Sequence, residues 1–142
     1  MIGIVLVRGT IGTRPEVRET LKRLNLTRKN GVVFVEDTPQ TRGMLRVVKD
    51  YVTYGAVKDE TVTAVIEARG ETPAMRASRV PGRDPRPASG RQGTIAGTSV
   101  RLPIRLNPPR KGFERGGIKK PFSIGGVLGE RTTMDELLMR MI

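Results

Sequence analysis

Between residues 71 and 101 the chain carries Pro73, Pro81, Pro85 and Pro87, four glycines, and Arg76, Arg79, Arg83, Arg86 and Arg91, with few apolar side chains. Proline removes backbone donors, and arginine and glycine bury little, so nothing in this stretch offsets the entropy of ordering it around a core. A chain of 142 residues has length for one ordinary domain. That core is expected in residues 1–70, followed by an irregular segment over 71–100 and a basic extension over 101–142.

The first 70 residues alternate apolar runs with helix-start signals. Ile2 to Val7 is a β-branched and apolar run that predicts a strand buried on both faces. Thr13, Pro15 and Glu16 have the spacing of a capping box with proline in the first turn, which predicts a helix to about Leu24. Its apolar stripe is Val17, Leu21 and Leu24. Asn30-Gly31 breaks the chain before a second strand, Val32 to Val35, and Asp37-Thr38-Pro39 opens a helix with Met44, Val47 and Val48 as its apolar face. Tyr51 to Val57 reads as a third strand, with extension of the preceding helix to Val52 as the competing reading. A short helix from Thr61 to Arg69, with Val62, Val65 and Ile66 on one side, ends at Gly70.

Beyond residue 101 the chain stays basic and rich in Gly and Pro, which predicts extended backbone. A second capping box, Thr133 to Glu136, precedes Leu137, Leu138 and Met141 at helical spacing and predicts a short terminal helix that docks back.

Charge narrows the chemistry. Lys and Arg number 26 against 14 Asp and Glu, net +12. Residues 1–70 hold 12 basic and 8 acidic residues, and residues 71–142 hold 14 and 6, so the tail carries most of the excess. A polyanionic partner is the first expectation. There is no Cys and no His, which excludes disulfides, thiolate metal sites and a triad with a His base. No metal site, cofactor or small-molecule substrate is expected. No run of about 18 apolar residues is present, and the N-terminal stretch lacks the pattern of a signal peptide, so no membrane partner and a cytoplasmic location are expected.

Gly9 to Thr13 lies between a strand and a helix, where a phosphate cradle is conceivable, but it lacks the Gly-Lys-Ser/Thr ending and the dinucleotide spacing. Its G-x-x-G spacing is shared with KH modules, which place that loop between helices. The simpler reading is a sharp turn with Arg8 and Arg14 flanking a loop that lies on RNA. Glu36 and Asp37 resemble a carboxylate pair, yet their place at a helix start marks capping. Cations able to reach phosphate are Arg28 and Lys29 with Asn30, Arg42, Lys49, and along the tail Arg76, Arg79, Arg83, Arg86, Arg91, Arg105, Arg110, Lys111, Arg115, Lys119, Lys120 and Arg131.

Several of these motifs together resemble one family. Val7-Arg8-Gly9-Thr10, Thr20 to Leu24 with Arg28-Lys29-Asn30, Glu36 to Pro39 through Arg42 to Leu45, and Val48 to Gly55 are similar to the universal L-thirty ribosomal proteins of the large subunit, called L-seven in eukaryotes. Pro108 to Phe113, Gly117 to Phe122 and Arg140 to Ile142 resemble the extension of the archaeal and eukaryotic branch. Asn107 departs from the His expected before Pro-Pro, and residues 71–100 carry no motif of the family.

The resemblance implies an α/β (α+β sandwich) fold. Its βαβαβ core would hold a three-stranded antiparallel sheet with two helices on one face, followed by the short helix and the extension. It also implies a structural constituent of the large ribosomal subunit, not an enzyme. The partners implied are the subunit's ribosomal RNA, including its small RNA, and neighbouring ribosomal proteins. Two other readings compete: a phosphoryl-handling enzyme using Lys and the Gly9 to Thr13 loop, and a free-standing RNA chaperone or regulator.

Overall fold

The computed structural model describes residues 1–70, 92–95 and 98–142. The run read as the first strand forms β1 (Ile2–Leu6), the central strand of the sheet. It pairs antiparallel with β2 (Gly31–Val35) on one side and β3 (Val52–Ala56) on the other, with Ile4 opposite Val33 and Tyr54. Side chains alternate across a strand, so one buried run must be covered twice.

On one face Ile4, Leu6, Val33 and Val52 pack against Val17 and Leu21 of α1 (Pro15–Arg23) and Leu45 and Val48 of α2 (Pro39–Val48). These are the two helices expected on one face. The opposite face was not foreseen as a layer. There Val5, Val32 and Phe34 meet Val62 and Val65 of α3 (Asp59–Arg69) and Met134, Leu137, Leu138 and Met141 of the terminal helix α4 (Met134–Met141).

The three-stranded sheet proves to be the centre of a five-stranded one. After the hairpin β4 (Gln92–Ile95) and β5 (Thr98–Arg101), the strand β6 (Ile104–Arg105) adds antiparallel to β2. A last strand, β7 (Gly129–Glu130), adds parallel to β3. An open sheet edge leaves unpaired N–H and C=O groups, and the tail supplies partners for both edges. Two-residue strands are too short to show alternation, which is why the sequence reads there as extended chain.

The apolar content of the tail is likewise committed. Ile104, Leu106, Val127 and Leu128 are buried, and Ile95 and Val100 join the same cluster as Val5, so residues 92–101 contribute to a core that the composition of 71–101 argued against. Isolated apolar residues among Gly, Thr and Arg carry no periodic signal, yet each fills space once the hairpin forms.

Two capping expectations also change. Arg14, not Thr13, is the N-cap of α1, because a residue before proline is held extended. The Thr13 hydroxyl donates instead to Thr10 O at 2.8 Å. Thr133 stands at the N-cap of α4 but accepts from Arg131 Nε at 3.2 Å. At α2 the expected cap is present: Thr38 Oγ1 accepts from the Thr41 N–H at 3.2 Å.

Candidate nucleic-acid interface

The end of β1 is tied to the turn after α2. The N–H groups of Val7 and Arg8 both donate to Tyr51 O at 3.1 Å, and Arg8 Nη1 donates to Asp50 O at 3.1 Å. The Arg8 guanidinium lies 5.0 Å from the centroid of the Tyr51 ring, a cation–π contact. The Lys29 side chain crosses this loop closely, with Cε 2.9 Å from where a Cβ on Gly9 would stand. Gly12, at φ +74°, turns the chain back toward Arg14.

Lys119 reaches the same place from the far end of the chain. Its segment is clamped because Lys120 O accepts from the N–H groups of Val127 at 3.0 Å and Leu128 at 3.1 Å. A Cβ on Gly126 would sit 2.1 Å from Lys120 O, so only glycine allows that close approach. The result is a cleft of about 600 Å³ on which Arg8, Arg14, Lys49 and Lys119 converge, with Asp50 as the one acidic side chain lining it among the described residues. Three separated stretches of sequence thus place four cations around one concavity, where their potentials add.

The remaining cations are distributed. Arg28 and Lys29 are exposed at the start of β2, and Gly31 pairs with Arg105, so these three share one end of the sheet. Asn30 has a backbone task there: at φ 59° its N–H donates to Leu6 O and its carbonyl accepts from Leu106. Arg110 and Lys111 form an exposed turn closed by Gly112 N to Pro109 O at 2.9 Å, and Arg140 Nε steadies it through Arg110 O at 3.2 Å. Arg115 and Lys120 are exposed. Arg76, Arg79, Arg83, Arg86 and Arg91 lie outside the described residues.

Arg42 is exposed but already engaged, donating to Asp37 through Nε at 2.6 Å and Nη2 at 2.5 Å. This hydrogen bond holds the Asp37 carboxyl below the usual carboxylate range. Glu36 and Asp37 therefore do not act as a pair, since Asp37 faces a cation.

Arg131 is a correction. It was expected on the RNA-facing surface and is 4 % exposed, donating to the Glu114 carboxylate with its guanidinium 4.9 Å from the Phe122 ring. The neighbouring Gly55 has no side chain, and a Cβ there would collide with the Arg131 carbonyl at 2.1 Å. That gap lets the backbone of Arg131 lie directly on the sheet, and its side chain is held by Glu114, Thr133 and the Phe122 ring. Val47 errs the other way: read as core from its spacing, it is 45 % exposed and lines the cleft. Tyr51 and Asp50 were not singled out as site residues, although they lie within the Val48 to Gly55 motif; the return of β1 beside them gives them their place.

The fold and cleft define a small basic α/β protein with a cation-lined concavity. The pattern of the ribosomal protein L30p/L7e family matches residues 2–52. Large ribosomal subunit protein uL30 of Methanococcus maripaludis is 39% identical, with 98% of this chain and 97% of the relative covered. The protein of that name from Methanopyrus kandleri is 37% identical, covering 96% and 100%. Its counterpart in Methanosphaera stadtmanae is 34% identical over 100% of both chains. The chain belongs to the ribosomal protein L30p/L7e family. The full-length match spans residues 71–100, the segment in which no family motif is visible.

Proposed function

We propose that this chain is a structural constituent of the large ribosomal subunit, in the cytoplasmic ribosome, that binds and stabilises folded ribosomal RNA through phosphate contacts. The observation that carries this reading is the convergence of Arg8, Arg14, Lys49 and Lys119 on one cleft. Guanidinium and ammonium groups there neutralise phosphates by charge and donor geometry, without reading bases, so recognition is by shape. Arg28, Lys29, Arg105, Arg110, Lys111, Arg115 and Lys120 extend the contact around the molecule. Arg76, Arg79, Arg83, Arg86 and Arg91 add phosphate contacts from the segment outside the described residues. The subunit's small RNA and neighbouring ribosomal proteins complete the surroundings.

Binding of purified full-length chain to large-subunit RNA is measured against salt. Each phosphate neutralised contributes about 0.7 to 0.9 to the log–log slope, so affinity is expected to fall steeply as salt rises. Reversal of Lys119 and Lys120 to Glu is expected to lower both affinity and slope. Salt-independent binding would sink the phosphate-contact mechanism. Stoichiometric sedimentation with the large subunit at moderate salt tests the assembly role, and recovery only in light fractions would oppose it.

A further inference from the structure

Phosphate contacts account for the cationic rim of the cleft but not for the rest of its wall. Val47 is 45 % exposed, Pro121 is exposed and Tyr51 half-buried, and all three line the concavity. Apolar surface left in water is unfavourable, and a polyanionic backbone would not cover it. Asp50 lines the cleft as well, and among the described residues its carboxylate forms no ion pair. A carboxylate repels a second phosphate but accepts from the N–H or O–H of a base or sugar. Arg8 is held by the Tyr51 ring at 5.0 Å and by Asp50 O at 3.1 Å, two contacts that restrict its planar guanidinium at the cleft. Bases splayed out of folded RNA stack on guanidinium planes as well as on aromatic rings.

We propose that the cleft receives one unpaired nucleotide of the RNA. Its phosphate lies on Arg14, Lys49 and Lys119, and its base stacks on the Arg8 guanidinium beside Val47. The inference rests on the RNA-bound reading above and specifies what this one site takes. A cleft of about 600 Å³ falls in the size range of small-ligand sites.

The full-length chain is titrated at fixed ionic strength with guanosine 5′-monophosphate, ribose 5-phosphate and inorganic phosphate, followed by the methyl resonances of Val17 and Val47. Guanosine is the probe because its N–H edge suits the Asp50 carboxylate. The nucleotide is expected to bind about fivefold or more tightly than ribose 5-phosphate, the lower end of a base-stacking contribution, and to move the Val47 methyls. Arg8→Lys keeps the charge and loses the planar face, so it is expected to bring nucleotide binding down to the level of ribose 5-phosphate measured on the same variant. Equal binding of all three, or a preference that survives Arg8→Lys, overturns the inference and leaves the phosphate-contact reading in place. If none of the three binds while large-subunit RNA still binds in a salt-dependent way, the cleft is not a nucleotide site. Loss of RNA binding by the unaltered chain would remove the underlying reading instead.

Discussion

The guanidinium of Arg131, buried against the sheet, donates to the carboxylate of Glu114 and stands 4.9 Å from the ring of Phe122. Three points of the tail are thereby gathered at one place, and the segment that carries Lys119 is held between two of them. Removing one member of a buried pair leaves an uncompensated charge, at a cost of about 3–5 kcal/mol when both are fully buried. The Glu114 side chain is 33% exposed, which lowers the expectation. Glu114→Ala should therefore destabilise the protein by about 2 kcal/mol in urea unfolding. A change near zero would reject the clamp.

A second tie joins α4 to the start of α3. Asp135 Oδ1 accepts from the N–H of Lys58, the N-cap of α3, at 3.1 Å. A capping glutamate within the helix usually fills this role; here the acceptor comes from a helix 77 residues away. Asp135→Ala should cost about 1 kcal/mol and lower amide protection in the first turn of α3. Protection unchanged in that turn would show the bond to be dispensable.

Gly55 sits where the backbone of Arg131 lies on β3. The Cβ of Gly55→Ala would meet the Arg131 carbonyl at 2.1 Å, a backbone atom that cannot rotate away. The substitution is expected to lift the tail from the sheet edge, so residues 101–142 should become sensitive to limited proteolysis while α1 and α2 stay protected. Equal resistance of both proteins would mean that the tail docks without this contact.

Leu21 is 1% exposed between α1 and the sheet. Leu21→Ala should cost about 2–5 kcal/mol, with the size set by how far the site collapses. Thermal or urea unfolding reads this directly, and a loss below about 1 kcal/mol would contradict the packing.

Burial, and then the Glu130 carboxylate, push the Tyr54 hydroxyl above its ordinary value, with Arg46 opposing. The folded state therefore holds this proton more tightly than the unfolded chain. Its contribution to stability is complete below about pH 10 and is lost as pH rises through the folded value. Tyr54→Phe should flatten that alkaline decline in an unfolding series taken across the range. An unchanged decline would assign it to other groups.

The element order was legible because each signal is local. Val17, Leu21 and Leu24 repeat with helical period, and all three are buried. Thr38-Pro39 marks a helix start by backbone chemistry alone, and the cap bond is present. Signals failed where one residue had two possible environments. Val47 follows the same periodic logic as Val48, yet α2 turns it outward into the cleft. Arg131 belongs by composition to the basic tail, yet Glu114 and Phe122 take its guanidinium in, and Gly55, 76 positions earlier, makes room for its backbone. Of the cations proposed for RNA, the sequence identified Arg8, Arg14, Lys49 and Lys119 individually but contained no sign that they share a site.

The sequence by itself determined the alternation of strands and helices in the first 70 residues, the excess of positive charge and the family. Periodicity, capping chemistry, composition and motif wording are all properties of short stretches. Only the tertiary structure decided that the tail closes both edges of the sheet, that α3 and α4 form a second layer, and which cations meet across one cleft. These depend on backbone groups and apolar side chains finding partners far along the chain, and their energies exist only after the chain has closed on itself.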